Sequence, residues 1–291
     1  MPIRILVTAA LLLGASLAQA QALDPFAPPA ERFDAEKLPA YKLILVGDST
    51  AAPHSGWGGA FCAHHVKWEV SCVNLARSAR STRSYRSEGS WDLALAEMKV
   101  RGYERIVVLI QMGHNDQARH KGERWTELAS EFPENLRRFV REARTAGALP
   151  VLVTPLSRRE FREGRLDNTL APWSEQVRKV ARELRVPLVD LNARSAELVQ
   201  SLGPVAAMKF AQRAPTGEEH DAAAKGTTLP APPPPPKAEE PEKPPAPGAR
   251  GSVTLKFDYT HLGWDGARVF AAMVAEDLGT AVPELAGLLV P

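Results

Sequence analysis

Apolar residues follow two rhythms along this chain. Leu43-Ile44-Leu45-Val46 and Ile106-Val107-Val108-Leu109-Ile110 are unbroken runs, whereas Leu136, Phe139, Val140 and Ala143 recur at spacings of three and four. Unbroken, β-branched runs mark strands buried on both faces, and the wider spacing marks one face of a helix. In order, the pattern predicts a strand over 43–46, a Gly56-Trp57-Gly58-Gly59 loop, a short helix over 60–67 and a strand over 69–74. A helix over 91–102, a strand over 105–112, the helix around 136–143 stopped by Gly147, and a strand over 149–154 follow. A helix marked by Trp173, Val177, Val180, Ala181 and Leu184, a strand over 186–190 and a helix over 193–202 complete that series. This alternation predicts an α/β fold with three α/β/α layers around a five-stranded parallel sheet.

Two stretches break the rhythm. The tract 77–86, arginine alternating with serine and other small residues, has neither period and reads as a loop at a strand end. From about 213 to 251 large apolar residues nearly vanish and Pro232 to Pro236 are consecutive prolines, a composition that cannot offset ordering entropy. It reads as an extended, disordered insertion, because a further element at 253–257 and a helix burying Ala267, Phe270, Ala271, Val274 and Leu278 come after it. The chain is therefore read as a signal peptide over 1–20, a lead-in over 21–40, and a single domain over 41–291 interrupted at 213–251.

The signal peptide rests on Arg4 ahead of the apolar run 5–17, closed by Ala18-Gln19-Ala20, with cleavage expected after Ala20. That run is short for a bilayer span, so a secreted or periplasmic protein with no stable membrane anchor is expected. The net charge of +2 over 291 residues argues against a nucleic-acid binder, which would carry a basic excess. Cys62 and Cys72, the only cysteines, read as a disulfide in an oxidising compartment. His64 and His65 between them raise the question of a metal, but the spacing fits no common zinc pattern, and no metal or other cofactor is expected.

Two of the buried runs end in Gly47-Asp48-Ser49-Thr50 and Gly113-His114-Asn115-Asp116. Ligands in open α/β sheets bind at such carboxyl ends. Ser49 is there either a helix cap or a nucleophile. A serine nucleophile needs a base, a carboxylate to orient it and donors for the oxyanion. Asp258 and His261, three residues apart before a helix, supply the carboxylate and the base, unless they are a cap and a surface histidine. Asn115 supplies an amide donor, unless it only forms a turn.

These blocks, in this order and at these separations, resemble the SGNH (GDSL) hydrolase superfamily, whose fold is flavodoxin-like. More narrowly the chain resembles the rhamnogalacturonan acetylesterase family, through Gly56-Trp57-Gly58, through Asn74-x-Ala76 with the tract up to Gly89, and through Val153-Thr154-Pro155 with Ser157-Arg158-Arg159. The resemblance implies a metal-free esterase with Ser49 as nucleophile, His261 as base and Asp258 as its partner. It implies an oxyanion hole made of the Ser49 N–H, the N–H of residue 79 and the Asn115 amide. The family has glycine where this chain has Ala79, a departure that matters if the backbone angle there is positive. His114 is expected to be structural.

The expected function is removal of O-acetyl groups from a carbohydrate, with acetylated pectin as substrate and a monomer as the working unit. Other acyl esters (xylan, peptidoglycan, a short lipid) and a catalytically silent sugar-binding module are the alternatives. Arg77, Arg80, Arg83 and Arg86 could meet uronate carboxylates, with Arg80 and Arg83 singled out, or pair with the chain's own acids. Trp57 is a candidate for stacking on sugar, and Trp91 is expected in the core.

Overall fold

A computed structural model describes residues 40–230, 255 and 257–291. The expected signal peptide, the lead-in up to residue 39 and the proline run lie outside these residues. The described chain forms the five-stranded parallel sheet, in the order β2-β1-β3-β4-β7. Its strands are β1 (Tyr41–Gly47), β2 (Val70–Asn74), β3 (Arg105–Gln111), β4 (Leu149–Val153) and β7 (Leu188–Val189). A two-stranded hairpin, β5 (Phe161–Arg162) with β6 (Arg165–Leu166), stands apart from it.

The unbroken runs do what their pattern dictates. Leu43 and Leu45 of β1 point to one side of the sheet with Val107, Leu109, Val151 and Val153, and pack against α1 (Gly58–His64) and α8 (Trp264–Ala281) through Phe61, Phe270 and Val274. Ile44 and Val46 point to the other side with Val108, Ile110 and Leu152. That face is covered by α3 (Ser90–Met98), α4 (Glu131–Thr145) and α5 (Ala171–Leu184) through Trp91, Phe139 and Val177. Period-two alternation of wholly apolar strands thus yields two cores, one on each face. Cys62 of α1 and Cys72 of β2 are joined in a disulfide with Cα atoms 5.4 Å apart.

The order places the first strand between the second and third. The connection after β1 runs to one side of the sheet and that after β3 to the other, and the crevice between them is where such sheets bind ligands. β1 is paired to β3 along its whole length, Tyr41 opposite Arg105 through Gly47 opposite Gln111. The ends of both strands therefore open into that crevice.

Two expectations are corrected. The tract 77–86 is not all loop, since α2 spans Thr82–Ser87. Ser81 caps it in a reciprocal box with Ser84, and buried Tyr85 anchors it through Oη to the Leu75 carbonyl at 2.8 Å. Nor is the segment from 213 onward extended throughout. After α6 (Leu191–Ala207), a helix α7 spans Gly217–Ala224, boxed by Thr216 and Glu219, and buries Ala223 against Met208 and Tyr259. The Thr228 N–H then donates to the Phe161 carbonyl of the hairpin, the Thr228 hydroxyl accepts the Phe161 N–H, and Leu229 N–H reaches the Tyr259 hydroxyl. Composition predicted extension because it counts only apolar surface, whereas caps and hairpin bonds order this part. Of the element expected at 253–257 only Leu255 and Phe257 are described, and both are irregular.

Candidate active site

The nucleophile candidate is set in a turn that leaves its neighbours little freedom. Asp48 Oδ1 accepts the Thr50 N–H at 2.8 Å and the Thr50 hydroxyl at 2.7 Å, which closes the turn over Ser49. Gln111, at the end of β3, donates to the Thr50 hydroxyl at 2.6 Å and accepts from Trp57 Nε1 at 2.8 Å. The returning chain passes so close that a Cβ on Gly56 would stand 2.0 Å from the Thr50 carbonyl oxygen. Only glycine fits there. Ser55 Oγ donates to the Ser49 carbonyl at 2.7 Å, so the turn is gripped from three sides.

The Asp258–His261 loop lies directly over it. Ser49 Oγ and His261 Nε2 are 2.9 Å apart, and His261 Nδ1 and Asp258 Oδ2 are 2.7 Å apart. Asp258 Oδ1 also accepts the N–H groups of Thr260 at 2.8 Å and His261 at 2.6 Å. Burial alone would raise the Asp258 carboxyl, but the imidazole and the two N–H donors outweigh it and hold the group at about 2. Asp258 is thus ionised at neutral pH and fixes which imidazole nitrogen faces the serine. A hydroxyl in contact with a base that is oriented by a carboxylate can be deprotonated as it attacks an acyl carbon.

Candidate donors for a developing negative charge stand at three neighbouring strand ends. Ser49 follows β1, Ala79 follows β2 and Asn115 follows β3. Asn115 uses one N–H on the Arg80 carbonyl at 3.1 Å, which ties the second of these ends to the third and leaves the amide's other N–H. The N–H groups of Ser49 and Ala79 meet no acceptor among the described residues. Ala79 has φ +67°, in the left-handed region. The backbone here holds an angle that glycine adopts freely, and this chain keeps it with a strained alanine whose N–H remains open.

Beneath these groups lie His114, expected to be structural, and the acids Asp48 and Asp116. His114 is buried with Nδ1 3.3 Å from Asp48 Oδ2, a packing position in the floor of the site. Burial works against charge on Asp48, but His114 and the Thr50 donors more than offset it, and its carboxyl sits below the ordinary value. Asp116, wholly buried, accepts from the Thr82 N–H at 3.0 Å, the Thr82 hydroxyl at 2.6 Å and the Thr126 hydroxyl at 2.9 Å. Burial pushes Asp116 up to about 7 despite those donors. It pins the start of α2 next to Asn115 and so joins two of the three donor-bearing segments.

Trp57 is corrected as a substrate contact, and Arg80, Arg83 and Arg86 take the second of their two expected readings. Trp57 is 1% exposed, packs edge-on to Phe61 at 5.8 Å and spends its N–H on Gln111, so it offers no face to a sugar. Arg80 pairs with Glu88, its Nε 2.8 Å from each carboxylate oxygen. Arg83 pairs with Glu131 and Arg86 with Glu142, the latter by two bonds of 2.8 Å. Forked carboxylate pairs engage these guanidinium groups at the surface, with Arg80 and Arg83 still partly exposed. Trp91 lies in the core beside Phe139. Among the described residues no group of three or more histidine, cysteine or acidic side chains could hold a metal ion.

Comparison with known proteins supplies the remaining constraint. Residues 45–212 match the model of the GDSL-like lipase/acylhydrolase family. The chain is 37% identical over 171 residues to rhamnogalacturonan acetylesterase RhgT of Bacillus subtilis (strain 168), a match covering 56% of this chain and 70% of that protein. It is 30% identical over 159 residues to the probable rhamnogalacturonan acetylesterase YesY of the same organism, covering 53% and 71%. The fold is similar to the crystal structure of Bacillus subtilis YxiM, with a TM-score of 0.58 at 20% identity, over 83% of this chain and 56% of that one.

Proposed function

Because the chain belongs to the GDSL-like lipase/acylhydrolase family and is an ester hydrolase of the carbohydrate O-acetylesterase kind, we propose that Ser49, His261 and Asp258 carry the reaction and that acetylated rhamnogalacturonan is the substrate. His261 Nε2 takes the Ser49 proton as Oγ attacks the acetyl carbonyl carbon. The carbonyl oxygen, now negative, receives the N–H groups of Ser49 and Ala79 and the amide of Asn115. Collapse breaks the bond to the sugar oxygen, which leaves with the proton from His261 and gives acetyl-Ser49. Water repeats the sequence with His261 as base and releases acetate. The observation that carries this reading is the contact of hydroxyl, imidazole and carboxylate at 2.9 and 2.7 Å.

The pectic substrate is supported by the names of the two relatives and by charge at the strand ends. Arg80, Arg83 and Arg86 pair with the chain's own acids, and unpaired charge comes from Arg77 and Arg158, neither of which makes an ion pair among the described residues. Arg158 meets only neutral acceptors, Gln117 Oε1 at 2.7 Å, Thr169 Oγ1 at 3.0 Å and the His114 carbonyl at 3.4 Å. Cations without carboxylate partners suit a uronate-bearing polymer. The apolar amino-terminal run supports export, with cleavage after Ala20.

The test is acetate release from acetylated rhamnogalacturonan, xylan and peptidoglycan, with Ser49→Ala as control. The expected result is fastest release from rhamnogalacturonan, a KM for it that rises with salt, and no release by the control. Faster release from xylan or peptidoglycan would refute the substrate, and an active control would refute the nucleophile.

A further inference from the structure

The loop that bears Asp258 and His261 belongs to no strand and no helix; α8 starts only at Trp264. Irregular backbone with buried carbonyls must still find donors. Here all four carbonyls of the loop find them on one residue, Arg159. Its Nη2 donates to the Asp258 carbonyl at 2.9 Å and to the His261 carbonyl at 2.8 Å, Nη1 to the Thr260 carbonyl at 3.4 Å, and its backbone N–H to the Tyr259 carbonyl at 2.8 Å.

Arg159 is 2% exposed and makes no ion pair with a carboxylate among the described residues. Even its Nε has no partner. A guanidinium buried on carbonyl oxygens alone carries a heavy desolvation cost, so its retention asks for a compensating use. Burial lowers its pKa to about 10, which leaves it charged at neutral pH, and Asp258 and Glu160 favour that charge. The loop is thereby clamped from both sides: the Asp258 carboxylate holds the N–H groups of 260 and 261 within, while Arg159 holds the carbonyls without. Arg159 itself is fixed to the sheet through the segment that follows β4.

We propose that Arg159 is the positioning residue of the reaction: by gathering the carbonyls of residues 258–261 it sets the distance and angle of the His261 imidazole over Ser49. The inference rests on the reading of Ser49, His261 and Asp258 as the reacting groups. Arg159 is buried and offers no face to a substrate, so its loss acts on the attack step and not on binding. Displacing a catalytic group by about 1 Å costs on the order of a hundredfold in rate. Lysine restores the charge but, as a single compact ammonium, cannot span the same carbonyls.

The experiment compares the full chain with Arg159→Gln, Arg159→Lys and Ser49→Ala on 4-nitrophenyl acetate. Melting temperature and the low-field proton resonance of the Asp258–His261 hydrogen bond are measured alongside. For folded Arg159→Gln we expect kcat lower by about a hundredfold, KM within about twofold, and the low-field resonance lost, with Arg159→Lys recovering part of the rate. A folded Arg159→Gln that keeps kcat within threefold, or keeps the resonance, overturns the proposal. If the glutamine variant does not fold, the lysine variant decides: kcat reduced at unchanged KM supports the proposal, and undiminished kcat overturns it. Undiminished hydrolysis by Ser49→Ala would instead overturn the nucleophile, a result separate from any obtained on residue 159.

Discussion

Replacing Ala79 with glycine should make the protein more stable without changing its rate. At φ +67° the alanine Cβ stands against the following carbonyl, a conformation that costs a residue with a side chain roughly 1–2 kcal/mol. Glycine removes that cost but gains freedom in the unfolded chain, which returns roughly 0.4–1 kcal/mol. The difference is a net gain of about 0.5–1 kcal/mol. For a domain of this size each kcal/mol moves the midpoint by roughly 2–4 °C, so Ala79→Gly should melt about 1–4 °C higher. Ala79→Val, β-branched at a positive φ, should melt lower than the parent. Since the donor is the backbone N–H, the glycine variant should keep kcat on 4-nitrophenyl acetate within about twofold. Thermal unfolding followed by circular dichroism, with kcat measured on the same samples, decides it. A glycine variant that melts several degrees lower, or a valine variant as stable as the parent, would refute the assignment of strain to this residue.

Asn115→Ala should lower kcat by roughly a hundredfold to a thousandfold with a smaller change in KM, as for loss of one oxyanion donor; steady-state kinetics showing an effect confined to KM would contradict that role. Asp116 makes a pH prediction. Its folded value of about 7 lies above the unfolded value near 4, so between these the folded chain binds the more protons and stability falls as pH rises. Asp116→Asn, neutral throughout, should flatten that fall, by at most about 1.4 kcal/mol per pH unit. Urea midpoints taken from pH 4.5 to 7.5 that run parallel for the two proteins would refute it.

The sheet and the nucleophile's turn could be read from the residues because their cause is local. A run such as Ile106 to Ile110 buries itself wherever it pairs, and the polar block that follows must then sit at a strand end. What stayed hidden is what depends on distant partners. The arginines of the 77–86 tract look free until Glu131 and Glu142, from a helix far along the chain, come to lie against them. Trp57 looks like a platform for sugar until Gln111 claims its N–H. Helix α7 has no large apolar residue of its own, and its order comes from caps and from Ala223 packed on Tyr259 and Met208. Arg159 is the extreme case. The carbonyls that hold it lie about a hundred positions further on, and no spacing rule reaches that far.

The three donor segments are exits from β2, β1 and β3, neighbours in a continuous ladder, whereas the imidazole and its carboxylate arrive from a segment outside that ladder. On the proposed mechanism the machine is modular: a receptor for acyl oxygen is built into the sheet, and the proton shuttle is an attachment. A descendant that lost the attachment would keep the receptor whole, and could persist as a sensor that recognises acylated sugars without cleaving them.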